Sequence, residues 1–133
     1  MNKSFFFILF SIFTVGARSQ TILHHKWVLM SIDNLDNGLK KVIGDYVIAS
    51  LIFETDTSYS GNFCNNYHGH VKFNQSKGCS MSIPFSGKRQ CMGYTDVEND
   101  LFKLYPLVER YVLKANFLYL FTSDKKRLVF KSE

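Results

Sequence analysis

The stretch Tyr67 to Phe85 reads YHGHVKFNQSKGCSMSIPF, and its alternation decides the fold. Tyr67, Gly69, Val71 and Phe73 take every second position, with His68, His70 and Lys72 between them. Cys79, Met81, Ile83 and Phe85 alternate in the same way with Ser80, Ser82 and Pro84. A period of two belongs to strands, so two strands are predicted, the first set of each facing inward and the second outward. Asn74 to Gly78, NQSKG, supplies the turn between them. Pro84 has no N–H to give a ladder, so its strand lies at an edge or ends there.

On the N-terminal side, Lys26 to Ile32 (KWVLMSI) reads as a strand and Asp33 to Gly44 as a loop. Tyr46 to Phe53 (YVIASLIF) is apolar on both faces, which predicts a well-covered strand. On the C-terminal side, Thr95 and Glu98 have the spacing of a capping box, in which hydroxyl and carboxylate satisfy each other's backbone amides. Val97, Leu101, Leu104 and Tyr105 follow as one apolar helical stripe. Pro106 disfavours helical geometry at Tyr105 and ends or kinks the helix there. Tyr111–Leu113, Phe117–Phe121 and Arg127–Lys131 return to strands, with KAN and SDKK as turns. The expected fold is mostly β (α+β): a small antiparallel barrel-like or strongly curved sheet with one α-helix at about 95–105.

Residues 1–19 stand apart from this domain. Lys3 precedes an apolar run from Phe5 to Val15, and Ala17-Arg18-Ser19 places small residues before Gln20. That order of charge, apolar core and small-residue exit predicts a secretory signal peptide cut near Ser19/Gln20. The run is too short to cross a bilayer, which needs roughly 20 residues. No cysteine follows the cut, so no lipoprotein anchor and no stable membrane insertion are expected. Residues 20–133 then form one soluble domain with 14 basic and 11 acidic residues, a net charge of +3. So mild and scattered an excess argues against nucleic acid, and Lys125-Lys126-Arg127 reads as a solvated turn.

The chemistry-bearing residues crowd into Ser60 to His70, SGNFCNNYHGH. Cys64, His68, His70 and Cys79 can be written as four metal ligands. However, the two histidines face outward on their strand and Cys79 inward on the next, while a closed zinc site needs four converging donors. His24 and His25 are adjacent and point to opposite sides of a strand. No metal and no cofactor is therefore expected. Asn65 and Asn66 suit a tight turn, and Gly61 and Gly69 suit a bend or a close backbone approach. Asn62, Asn66, His68 and His70 remain as a possible binding face. The chain has no Gly-x-Ser-x-Gly elbow, phosphate-binding glycine loop or His-Glu-x-x-His motif, so no enzyme is expected. Asn74-Gln75-Ser76 is a glycosylation sequon in a turn, relevant only in a eukaryotic source.

The chain resembles the META domain family, in particular its heat-shock protein HslJ branch, over nearly all of residues 20–133. The resemblance begins with HHKWVLMSID (His24 to Asp33). It centres on Ser60-Gly61-x-x-Cys64-Asn65-x-Tyr67-x-Gly69, and continues through GKRQC (Gly87 to Cys91) and ANFLYLF. The second motif departs at Gly87 and Lys88, where Thr-Arg is usual, so an anion-binding role passes only to Lys88 or Arg89. The resemblance implies a β-rich, barrel-like envelope or surface domain linked to stress and envelope integrity, with no established enzyme activity or cofactor.

Three cysteines in a secreted chain leave one bridge and one free thiol. Cys64 and Cys91 occupy the two family motifs and lie in turn-like segments, while Cys79 reads as a small inward hydrophobe. Cys64–Cys91 is the expected bridge; Cys79–Cys91 or three reduced thiols are the alternatives. The functional expectation is a non-enzymatic secreted or periplasmic domain that binds an envelope or extracellular protein. Two alternatives stand beside it. One is a carrier of a small apolar ligand or lipid, with Tyr67, Phe73 and Phe85 lining a barrel interior. The other is a secreted effector or inhibitor acting on another organism's protein.

Overall fold

A computed structural model describes residues 21–44, 47–93 and 95–133. The expected signal peptide and Tyr46 lie outside these residues. Among them are ten strands and one α-helix: β1 (Lys26–Asn34), β2 (Lys40–Val42), β3 (Ser50–Phe53), β4 (Ser58–Asn62), β5 (Asn66–Phe73), β6 (Cys79–Met81), β7 (Phe85–Ser86), α1 (Thr95–Leu104), β8 (Val108–Lys114), β9 (Phe117–Thr122) and β10 (Lys126–Ser132).

All strand pairs are antiparallel, and the main path runs β6-β5-β4-β3-β1-β10-β9-β8. Short β2 pairs with the second half of β1, and β7 with the start of β5. An isolated Gly78–Arg110 bridge joins the two ends of the path, so the sheet nearly closes into a barrel. The turns follow local chemistry. Gly38 takes φ +71° between β1 and β2, and Ala115 and Lys125 take positive φ in the two C-terminal hairpins.

The expected alternation of β5 is present: Tyr67, Gly69 and Val71 are buried while His68, His70 and Lys72 are exposed. In β1, Trp27 and Leu29 face the core, and a bulge then shifts the register between Leu29 and Ser31, so that the inward phase passes from Ser31 to Ile32. The interior is filled by Tyr59, Tyr67, Tyr105, Phe53, Phe130 and a set of leucines, all below 2% exposed. Leu101 and Leu104 of α1 join the same core. Pro106 ends the α-helix as expected, and a 3-10 turn follows over Tyr105–Leu107.

Four readings of the sequence change. Ile83 and Phe85 are exposed, at 68% and 61%, instead of inward. The strand stops at Met81, and after the Pro84 break Phe85 pairs opposite outward-facing His68, so the second segment starts in a new phase. The strand expected from Tyr46 begins only at Ser50, although Ala49 O still accepts from Leu29 N. β2 lies inside the expected loop, with all three residues exposed and no alternation to betray it. His24 and His25 precede β1, and His24 takes φ +65° instead of a strand conformation.

Candidate functional site

The corner between β4 and β5 is built from the central motif, and its parts find partners inside the fold. Tyr59 lies opposite Gly69, and Gly61 opposite Tyr67. A Cβ on Gly69 would come within 2.5 Å of the Tyr59 ring. One on Gly61 would come within 2.3 Å of the Tyr67 ring and 2.1 Å of Ser50 O. Each glycine is therefore the floor on which a cross-strand tyrosine lies. Tyr67 Oη donates to Ser50 O at 2.5 Å, so the 2.8 Å contact between the Tyr67 and Tyr105 hydroxyls has Tyr105 as donor. Tyr59 Oη donates to Ser82 O at 2.6 Å. Burial pushes the phenols up, Tyr59 to about 12 and Tyr67 and Tyr105 further, which keeps all three neutral.

Cys64 and Cys91 are joined by a disulfide, with their Cα atoms 5.8 Å apart. Next to the bridge, Asn65 is buried and fully engaged. Its side-chain nitrogen donates to Glu98 Oε1 and Arg89 O, both at 2.9 Å, and its Oδ1 accepts from Arg89 N at 3.0 Å. Asn65 N donates to Glu98 Oε2 at 3.0 Å. Glu98 is thus a buried carboxylate held by two amide donors from a distant corner, instead of one half of a capping box. Thr95 turns its hydroxyl to Cys91 O, 3.1 Å away. Bridge, asparagine and glutamate together tie the corner, the Gly87–Cys91 segment and the start of α1 into one unit.

Ser60 Oγ donates to Glu54 Oε1 at 2.7 Å. Asn62, Asn66, His68 and His70 are exposed on the outer side of β4 and β5. Asn62 donates to Asn66 across the strands, and His68 stacks on Phe85 with centroids 5.6 Å apart. The four expected binding residues therefore share one face. Cys64 is bridged, and the Cys79 thiol, 1% exposed, is pushed by burial to about 12. Among the described residues no three of His, Cys, Asp and Glu come together as metal ligands.

A second outer face, on the C-terminal strands, escaped the sequence reading. Its first row crosses the sheet as Arg110, Phe121, Arg127, Asp33 and Lys40. The middle row is Val112, Tyr119, Val129 and Ser31, and the third is Lys114, Phe117 and Lys131. The Arg110 guanidinium lies 3.7 Å over the Phe121 ring, and that of Arg127 5.5 Å from Tyr119. Arg127 also grips Asp33 Oδ2 through Nε (3.0 Å) and an Nη (2.8 Å), while Ser31 Oγ donates to the other oxygen at 2.9 Å. All of these side chains except Arg110 and Lys131 line a surface cleft of about 470 Å³. The signal was present in Phe117-Leu118-Tyr119-Leu120-Phe121. Both faces of that strand are apolar, so alternation alone does not say that Leu118 and Leu120 take the core and the rings the outside. Another cleft, of about 380 Å³, lies beside α1; there Lys41 pairs with Asp100 at 3.0 Å and Lys126 with Asp124 at 3.3 Å.

The family model of the META domain matches residues 20–133. The chain belongs to the META domain family. Solved structures agree with the fold. A protein from Burkholderia xenovorans, determined by NMR, superposes with a TM-score of 0.71 at 18% identity, covering 84% of this chain and 83% of that one. A DUF4847 family protein from Bacteroides vulgatus gives 0.62 at 13% identity, over 83% and 93% of the two chains. No curated protein matches the chain significantly. The META match indicates no catalytic family. Among the described residues no helix is long and apolar enough to cross a membrane.

Proposed function

We propose that this META domain is a non-enzymatic binding module, secreted or periplasmic and akin to the heat-shock protein HslJ branch. In this reading it supports the cell envelope or stress tolerance by holding another protein. One observation carries it: the residues with the richest chemistry are used up inside the fold, while the ungrouped polar and aromatic residues stand on outer faces. Cys64, Asn65, Tyr67 and Glu98 all have internal partners. The bridge suits an oxidising compartment, as the signal-like start does. The test is a crosslinking pull-down from envelope and medium fractions, using the oxidised full chain. A deletion strain challenged with heat and envelope-directed drugs accompanies it. A recurrent protein partner and a sensitised strain are expected; the absence of both overturns the reading.

A further inference from the structure

The outer face of β8, β9 and β10 is mainly cationic, and most of its charge is unpaired among the described residues. Arg110, Lys114, Lys131 and Lys40 are exposed and have no ion pair among the described residues. Arg127 is held by Asp33, the one carboxylate in the three rows. The cleft beside α1 differs, since two of its three lysines are paired with aspartates, Lys41 with Asp100 and Lys126 with Asp124. The cations also have an order. Arg110 and Arg127 share a row two strands apart, as do Lys114 and Lys131, so each pair is spaced by roughly 10 Å at the sheet. The two rows are four residues apart along the strands, about 13 Å. Between them lies the apolar middle row of Val112, Tyr119 and Val129, all half-buried.

The aromatic rings bear on which anion fits. Arg110 already covers a face of Phe121, and Arg127 stands near Tyr119. The guanidinium over Phe121 takes a platform on which a base or sugar would stack. What the face offers outward is guanidinium N–H donors backed by rings, a fork suited to carboxylates, with an apolar strip between two cationic rows.

We infer that this face is the docking surface for a protein partner, and that the partner presents acidic residues on both sides of an apolar patch. The inference deepens the binding-module reading and rests on it. Charge complementarity brings the partner in, and the apolar strip between the cations gives the complex its dry centre. Arg127, pinned by Asp33, which Ser31 holds in turn, enters the interface in a fixed orientation.

The test uses the oxidised, isotopically labelled full chain and a synthetic peptide in which glutamate alternates with leucine. The expected result is amide shifts confined to β8, β9, β10 and the second half of β1, and an affinity that falls with added salt. The double variant R110E/K114E, at two exposed positions, should bind the peptide about tenfold more weakly or worse, with an unfolding curve that stays cooperative and shifts only slightly. N62A/H68A should bind it as the parent does. Shifts mapping elsewhere, or R110E/K114E binding normally, overturn the inference. So does tighter binding of oligothymidylate or a heparin oligosaccharide at this face, which would make the occupant a nucleic acid or a glycan. The broader reading fails separately. A partner captured equally by the parent and by R110E/K114E sinks this face and leaves the binding module standing.

Discussion

The β4–β5 corner and the outer face of β8–β10 use their residues in opposite ways. At the corner a thiol, an amide, a carboxylate and a phenol, the groups from which active sites are assembled, are each satisfied by the fold itself. On the C-terminal strands ordinary lysines, arginines and aromatics stand in rows with little inside the molecule to answer their charge. An unusual residue in a dense motif can mark where a small shell is fastened. A plain residue becomes informative once the sheet places it beside others of its kind. The contrast also separates two kinds of outcome: changes at the corner should cost mainly stability, and changes on the face mainly binding.

The largest expected effect is loss of the bridge. It closes a loop with a sequence separation of 27, and C64S/C91S should lower the unfolding free energy by about 3.5 kcal/mol in the chain-entropy model. Urea titration with and without reductant reads this directly. Gly61→Ala comes next, at about 3 kcal/mol, because the added carbon meets the Ser50 carbonyl as well as the Tyr67 ring. Gly69→Ala meets only the Tyr59 side chain and should cost less, about 2 kcal/mol. Equal costs for the two would show that the ring, not the backbone of β3, is the obstacle. Asn65→Ala takes an amide donor from buried Glu98 and a donor and an acceptor from the Arg89 backbone, and should also cost about 2 kcal/mol, measured in the oxidised protein.

Alkali offers a gentler probe of the corner. The fold favours the neutral phenols of Tyr59, Tyr67 and Tyr105, which burial holds above the ordinary phenol range near 10. Their contribution to stability is fully present below about pH 10 and is lost as the pH rises through the folded values. Phenolate absorbance should show these three ionising only as the protein unfolds. The smallest effect belongs to the other region. R110E/K114E should lower the unfolding free energy by no more than about 1 kcal/mol, the worth of the Arg110–Phe121 contact at an exposed site. A large loss there would erase the distinction between fastening and display.

Much of the shell was legible because it obeys local rules. The alternation of Tyr67 to Phe73, the helical stripe at Leu101 and Leu104, and the stop at Pro106 each declare themselves within a few residues. The failures have a common cause in long-range geometry. Thr95 and Glu98 carry capping-box spacing, but folding brings Asn65 to the glutamate from 33 positions away. Phe85 continued an apparent alternation, yet its face was set by pairing with His68 after a break at proline. The second face could not be read because its rows run across strands distant in sequence: Asp33 meets Arg127 from 94 residues away.

The barrel has a seam. Elsewhere neighbouring strands share ladders, but β6 and β8 meet through one isolated bridge between Gly78 and Arg110. Breathing of the shell should begin along that line, where the fewest bonds must open together. Arg110 lies on the seam and also contributes the first guanidinium of the outer face. Whatever grips that side chain also steadies the weakest joint of the cylinder, so occupancy outside and closure within would rise and fall together.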